Sequence, residues 1–370
     1  MENAARDVAT ALAERGHEVV TWPVPAGEPS QALAATVQAA RGADLVFNLC
    51  ESLAGDARHE GVLPALLDLA GVAYTGSGPV ALGLALRKDV CKRLLRAHGV
   101  STPEAVTLDS DDVSSVTLPF PLIVKPSRED ASVGISRHSV VHDRRALALR
   151  VAEVRARYRQ PAIVERFIEG RELYVTLLGN PPTAMPMHEI DFSRMPKGFP
   201  RIVSHDGKWD TTCDEYHGTR PVRAEGLDEA TRARCHAEAR AAFAALELRD
   251  YARVDLRLDA AGVPFVIDVN PNCDLSNGAG VSRAASYGGL SYPDLIEEVC
   301  EAALARTREN HVHPNASAPE KEAVVSTAAG PGAAPPGERP RALVAAGARG
   351  RPVHGGRGGG RAGAPRRRDR

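Results

Sequence analysis

Two strand-like segments, YARVDLRLD (251–259) and PFVIDVN (264–270), stand on either side of an AAG turn, and each carries charged or amide groups inside an apolar run. The two-residue period of a strand puts Arg253 and Asp255 on one face of the first segment, and Asp268 and Asn270 on one face of the second. A carboxylate in an apolar strand is costly unless something pairs with it. If the strands pair across the turn, one guanidinium, two carboxylates and one amide converge. Two outcomes are open. One is a buried salt bridge of Arg253 with Asp255 or Asp268. The other is a hard divalent cation, which takes oxygen donors and shares them with substrate phosphates. Two polar pairs on adjacent strands favour the metal, so Mg²⁺ is the expected partner of Asp268.

The rest of the chain narrows the setting. At 370 residues it can bury a large core, and its length suggests two or three domains. No apolar run approaches the roughly 20 residues needed to span a bilayer. The opening MENAARDVATALAERG lacks the zones of a signal peptide. Six cysteines (50, 91, 213, 235, 273 and 300) are scattered without a CxxC pair, which reads as reduced thiols in a cytoplasmic protein.

Residues 311–370 hold eleven Lys or Arg against four Asp or Glu, whereas the preceding 310 residues hold 35 against 43. This segment is rich in Ala, Gly, Pro and Arg and shows no apolar period, so a disordered tail is expected. No aromatic is interleaved with its arginines, and no nucleic-acid partner is expected. Removing residues 312–370 should then leave activity unchanged.

Helices are expected at 3–15, near 30–41, in EGVLPALLDLAG and at 88–98, with strands at HEVVTW, DLVFNLC and VAYTG. Such alternation implies a parallel sheet. A strand-rich block follows: PFPLIVKPS, a helix at 143–158, PAIVERF and RELYVTLLG. A long polar excursion, RMPKGFPRIVSHDGKWDTTCDEYHGTRP, precedes a helix at 228–246, the hairpin, and a last helix at 293–308.

Lys125 ends the strand PLIVK and precedes the small-residue loop REDASVG. A cation followed by backbone N–H groups near Ser132 and Gly134 suits phosphates. In VERFIEGREL, Glu165 and Glu172 lie around Gly170, where a carboxylate could hold ribose hydroxyls. For a single Glu, a solvated surface position is the ordinary alternative.

Read in order, IVKPSREDASVGIS, IVERFIEGRELYVTLLG, DGKWD, YARVDLRLD and FVIDVNPN resemble the ATP-grasp superfamily. YTGSGPVALGLALRKDVCKRLLRAHGVSTPE makes the chain similar to the D-alanine–D-alanine ligase family within it, colinearly over about residues 4–308. The resemblance implies an α/β protein: two α+β subdomains gripping ATP, preceded by a doubly wound parallel-sheet domain. The implied boundaries are an N-terminal domain at 1–86, a central subdomain at 87–178, a C-terminal catalytic subdomain at 179–310, and the tail at 311–370.

The implied activity is an ATP-dependent ligation of two amino acids through an acylphosphate, with a homodimer as the implied assembly. Lys88 and Lys125 would contact ATP phosphates, and the loop from Glu129 to Gly134 would fold over them. Glu165, with backbone groups of Arg166, Phe167 and Ile168, would hold adenine, and Glu172 the ribose. Lys208 would reach the terminal phosphate from a mobile loop. Arg253 would stabilise the tetrahedral intermediate, making Arg253, Lys208 and Ser132 the expected catalytic residues. Asp255, Asp268 and Asn270 would bind two Mg²⁺ ions, with Mn²⁺ as an alternative.

The departures fall at the substrate seats. Asp268 stands where the family mostly has Glu, Ala131–Ser132 where it has two serines, and Trp209 where it has Tyr. PNCDLSNGA replaces the family's TSPGMTSHS after the metal-binding Asn, so that Ala279 stands where a Ser would contact the second D-alanine's carboxylate. Cys50–Glu51 replaces a His–Gly pair. A ligase for other amino acids or a specialised metabolite is therefore an alternative. A nucleotide-binding protein without ligase activity is a second, against which the retained Lys125, Lys208, Arg253, Asp255, Asp268 and Asn270 argue.

One further element is missing. Such a chain should open with an apolar strand and a Gly-rich turn, and that strand belongs between HEVVTW and DLVFNL. Its absence ahead of Met1 suggests a start placed too late or a truncated relic.

Overall fold

The computed structural model describes residues 2–24, 28–312 and 341–346. The periodic segments form the elements expected of them within a few residues, except VAYTG, which contributes only one parallel bridge, Val46 to Tyr74.

In the N-terminal unit, α1 (Glu2–Glu14), α2 (Pro29–Ala40) and α3 (Val62–Ala70) accompany β1 (Glu18–Pro23) and β2 (Leu45–Leu49). The helices α4 (Pro79–Leu86) and α5 (Lys88–Ala97) lead onward. The central unit is a four-stranded sheet of β3 (Ala105–Leu108), β4 (Leu122–Pro126), β5 (Val140–Val141) and β6 (Ala162–Arg166), in the order β3-β6-β4-β5. The helix α6 (Arg144–Tyr158) packs on it.

The third sheet contains β7 (Glu172–Leu178), β8 (Thr183–Ala184), β9 (His188–Asp191), β10 (Arg220–Arg223), β11 (Tyr251–Leu258) and β12 (Pro264–Asn270). Its order is β10-β9-β7-β11-β12, with β8 beside β7. Its helices are α7 (His205–Trp209), α8 (Asp214–Gly218), α9 (Glu229–Ala245), α10 (Gly280–Tyr287) and α11 (Tyr292–Val312). Local pattern puts RELYVTLLG with the central unit, but β7 pairs with β11 from Leu178–Tyr251 to Glu172–Arg257, and so belongs to the third sheet. The polar excursion from Arg194 to Pro221 holds α7, α8 and the start of β10 rather than a bare loop.

The tail departs most from expectation. Arg341–Ala346 forms a strand, β13, which lies parallel between β1 and β2, so that the N-terminal sheet runs β1-β13-β2. The position left open between HEVVTW and DLVFNL is thus filled from the far end of the chain. The local composition of the tail concealed this. RALVAA cannot bury itself alone, but a slot between two strands supplies both the hydrogen bonds and the apolar faces it needs. The other tail residues lie outside the described ones.

Burial follows the layers. Ala342 and Val344 join a core that α1 and α11 share, with Val8, Leu12, Leu295 and Val299, whereas Ala345 joins the opposite face with Leu63, Leu67 and Tyr74. One buried ion pair ties the units together. Asp250, fully buried, accepts from Arg306 at 2.9 and 3.1 Å, from Asn180 Nδ2 at 2.7 Å and from the Gly76 N–H at 2.8 Å. The six cysteines are free, and no described helix is long and apolar enough to cross a membrane.

Candidate active site

A cavity of about 830 Å³ opens between the four-stranded and six-stranded sheets. The hairpin β11–β12 forms its floor. Arg253 pairs in register with Asn270, and Asp255 with Asp268. Both outcomes foreseen for these residues bear on what is found. Arg253 holds Asp255 through two hydrogen bonds, 2.7 and 2.9 Å, while the side-chain partner of Asp268 is Lys88, at 2.9 Å. Asn270 Nδ2 reaches Asp255 Oδ2 at 3.3 Å. Burial pushes the Asp255 carboxyl up and Arg253 opposes it; Asp268 adds to the rise. Burial acts against the Asp268 charge too, but Lys88 keeps that carboxyl below its ordinary value.

Two facing carboxylates, split in this way, and one amide form an oxygen donor set that fits a hard divalent cation. Among the described residues no group of three or more His, Cys, Asp or Glu is gathered as a metal site, so the donor set here is two carboxylates and an amide.

The wall beside the floor is a buried charge cluster. Glu165 on β6 accepts from Lys125 on β4 at 3.2 Å and lies 3.3 Å from Lys92 on α5. Burial disfavours the Glu165 charge, but the two lysines hold its carboxyl below its ordinary value. Lys92 also donates to Thr102 at 2.8 Å, and burial pushes its own ammonium down. Periodicity offered no sign of Lys92, which reads as one more polar residue of an amphipathic helix. Phe167, Ile168 and Arg166 continue this wall. Glu172 accepts from the Tyr174 hydroxyl at 2.9 Å and lies 3.7 Å from Arg257, whose guanidinium stacks 4.7 Å from the Phe167 ring centroid. Burial raises the Glu172 carboxyl, with Arg257 opposing it.

The loop after Lys125 has a fixed base and a strained crest. Arg150, buried on α6, donates to Gly134 O and, at 2.9 Å, to Ser139 Oγ. A Cβ on Gly134 would fall 2.4 Å from Pro126 Cγ, so only glycine fits there. Ala131 and Ser132 both take positive φ, 52° and 61°, a conformation costly to non-glycine residues and one that turns successive N–H groups toward one side. The loop meets α7 across the mouth: Trp209 Nε1 donates to Ala131 O at 3.3 Å, and the His205 N–H to Ile135 O at 2.8 Å. Lys208 lines the cavity from that side.

Of the residues foreseen, Lys125, Ser132, Glu165, Glu172 and Lys208 line this one cavity, as do Arg253, Asp255, Asp268 and Asn270. Lys88 and Glu129 do not. They line a small adjoining space with Glu60, Asp130, Asp268 and Asn272. Gly134 is absent from both linings and supports the loop from beneath.

Of the far end of the cavity only Ala279 was foreseen. His188, on β9, is buried against Tyr174, edge to face with ring centroids 5.0 Å apart, and the Arg253 guanidinium lies 4.7 Å from the Tyr174 centroid. Arg283 and the uncapped N-terminus of α10, at Ala279–Gly280, line the same end. Burial, then Arg253 and Arg283, depress the His188 imidazole from 6.5 to about 3, so it is neutral in the folded protein. Unfolding restores its ordinary proton affinity. The folded state therefore keeps its full advantage above pH 6.5 and loses it as pH falls toward 3. Between pH 6.5 and 5 the loss should be roughly 1–2 kcal/mol. Denaturant midpoints measured against pH should show a correspondingly smaller loss in His188→Gln; equal slopes would refute the assignment.

Comparison with known proteins fits this arrangement. The family model described as D-ala D-ala ligase C-terminus matches residues 94–301. A Sinorhizobium fredii protein, y4sG, is 36% identical over 310 residues, covering 82% of this chain and 88% of its own length. A D-alanine–D-alanine ligase of Cupriavidus taiwanensis is 32% identical over 281 residues, covering 75% of this chain and 79% of its own. Among solved structures, the Bacillus anthracis D-alanine–D-alanine ligase complexed with ATP superposes with a TM-score of 0.64 at 21% identity, covering 84% of this chain and 94% of that one. A family match over more than half of the chain, with relatives above 30% identity along most of their length, makes this chain a member of the D-alanine–D-alanine ligase family of ATP-grasp, ATP-dependent ligases.

Proposed function

We propose that the protein joins two amino acids, with D-alanine as the first candidate for each, in the cytoplasm and as a homodimer. The observation that carries this is the floor of the cavity. Asp255 and Asp268 face one another there, beside Arg253 and Asn270, under a closed pair of loops.

A donor carboxylate attacks the terminal phosphorus of ATP, ADP leaves, and an acylphosphate forms. An amine then attacks the acyl carbon and phosphate leaves. Lys125 and Lys208 neutralise phosphate charge from two walls, and the N–H groups around Ser132 hold phosphate oxygens from the loop. Lys88 orients Asp268 and, through it, the floor. Glu165 holds Lys125 in place, while the adjacent Arg166–Ile168 backbone receives the base and Glu172 the ribose. Arg253 stabilises the oxyanion of the tetrahedral intermediate. Asp255, Asp268 and Asn270 would hold two Mg²⁺ ions, or Mn²⁺, which supply Lewis-acid neutralisation of the transferring phosphoryl group. The Trp209–Ala131 contact keeps water from the acylphosphate.

The proposed units run from 1–86, 87–178 and 179–310, with β7 moved to the last and β13 added to the first.

A second reading changes only the acceptor. Ala279 offers no side-chain bond at the start of α10, and Arg283 adds a cation beside Arg253 there, so an acceptor other than D-alanine is favoured by that end of the cavity. ADP release with MgATP, measured against D- and L-amino acids singly and in pairs, decides both readings. Release should require a D-amino acid, alone where it fills both seats or together with a second amino acid. Turnover with no amino acid in the panel would refute peptide ligation.

A further inference from the structure

We infer that Arg341–Ala346 is the first strand of the N-terminal unit carried at the other end of the chain, and that the active site depends on its being docked. The placement of β13 supports this in three ways.

First, β1 and β2 are parallel but not neighbours. Strands stand about 4.8 Å apart, so β2 lies one full strand width beyond contact with β1. Six register pairs join β13 to β1, Glu18–Arg341 through Pro23–Ala346, and five join it to β2, Ala342–Leu45 through Ala346–Leu49. Without β13, both inner edges lose their partners.

Second, both faces of β13 are buried. Val344 and Ala345 are inaccessible and Ala342 is 3% exposed, and α1 packs against β13 as well as β1. If β13 ran directly into α1, the order β13-α1-β1-α2-β2 would be an ordinary doubly wound half, with its first strand in the middle. Here that link is replaced by residues 313–340. These 28 residues can span up to roughly 90 Å.

Third, β13 ends near the small space that adjoins the cavity, which Glu60 and Asn272 line. Ala346 pairs with Leu49, and the next residue, Cys50, accepts through its carbonyl from Asn272 Nδ2 at 3.2 Å. Asn272 also donates to Glu60 at 2.8 Å, accepts from the Tyr251 hydroxyl at 2.9 Å, and stands two residues beyond Asn270. In parallel sheets ligands bind at the carboxyl ends of the strands, which is where these contacts gather.

Three chains test this: the full protein, residues 1–312, and a permuted chain in which residues 335–370 precede Met1 through a Gly/Ser linker and the chain ends at 312. The truncated chain should melt about 10 °C or more below the full protein, or fail to fold. If soluble, it should lose at least tenfold in kcat/KM for the amino-acid substrate. The permuted chain should recover most of both. A truncated chain that matches the full protein would overturn the inference, and so would a permuted chain no better than the truncated one. The kinetic arm rests on the ligase reading and the melting arm does not, so failure of one is distinguishable from failure of the other.

Discussion

Asp255→Asn and Asp268→Asn should each lower ATP-dependent turnover by about a hundredfold or more, the scale for removing a preorganised electrostatic group. The two side chains are register partners on β11 and β12, and each substitution keeps shape while removing one negative charge. Some stability should be lost, because Arg253 or Lys88 loses its counter-charge, but less than a full ion pair's worth. The Asp255 charge is already opposed by burial and by its neighbour Asp268, and relief of that repulsion offsets part of the loss of its bond to Arg253. Asn at 268 still offers an oxygen to Lys88, which the aspartate holds at 2.9 Å. ADP release at saturating and limiting Mg²⁺, with circular dichroism as the control for folding, checks the expectation. Near-normal release from Asp268→Asn at ordinary Mg²⁺ would sink the assignment of the floor as the metal site.

Asp250→Ala should remove about 3–5 kcal/mol of stability, the scale for breaking one side of a buried ion pair. Four bonds converge on this carboxylate, and they come from three places: Arg306 on α11, Asn180 after β7, and the Gly76 N–H of the N-terminal unit. Alanine leaves the Arg306 guanidinium without its counter-charge. It also sits poorly at the positive φ of 65°, which Asp tolerates better. No atom of Asp250 lines the cavity, so protein that remains folded should turn over within about twofold of the unaltered enzyme. Urea midpoints measured beside ADP release separate the two effects. An unshifted midpoint would show that these bonds form equally well without the carboxylate.

The floor of the site was legible because strand periodicity is local: Arg253, Asp255, Asp268 and Asn270 declare their shared face through spacing alone. What they touch was less so. Lys88, expected at phosphate, pairs with Asp268, and Glu165, expected at adenine, pairs with Lys125 and Lys92. Buried charges find partners, but no pattern in one dimension says which cation will be within 3 Å. His188, Tyr174 and Arg283 escaped notice for the same reason, since each is an ordinary residue of its own strand or helix. The strand β13 was concealed differently. Six residues of modest hydrophobicity among Gly, Pro and Arg carry no signal of order by themselves, and the half-sheet they complete lies some 300 residues away.

That separation has a consequence for how the molecule is made. Leu343 pairs with Val46 across 297 residues of sequence, so the N-terminal sheet cannot close until Ala346 has left the ribosome. Domains usually fold in the order of their synthesis, N-terminal first. Here the first unit to emerge is the last to be completed, and through most of translation it presents two bare strand edges and the apolar faces above and below them. The two later sheets, built from contacts within residues 105–270, can form while it waits. Closure of the first sheet then becomes the slow, non-local step, and the nascent chain is most exposed to wrong strand partners in the interval before β13 arrives.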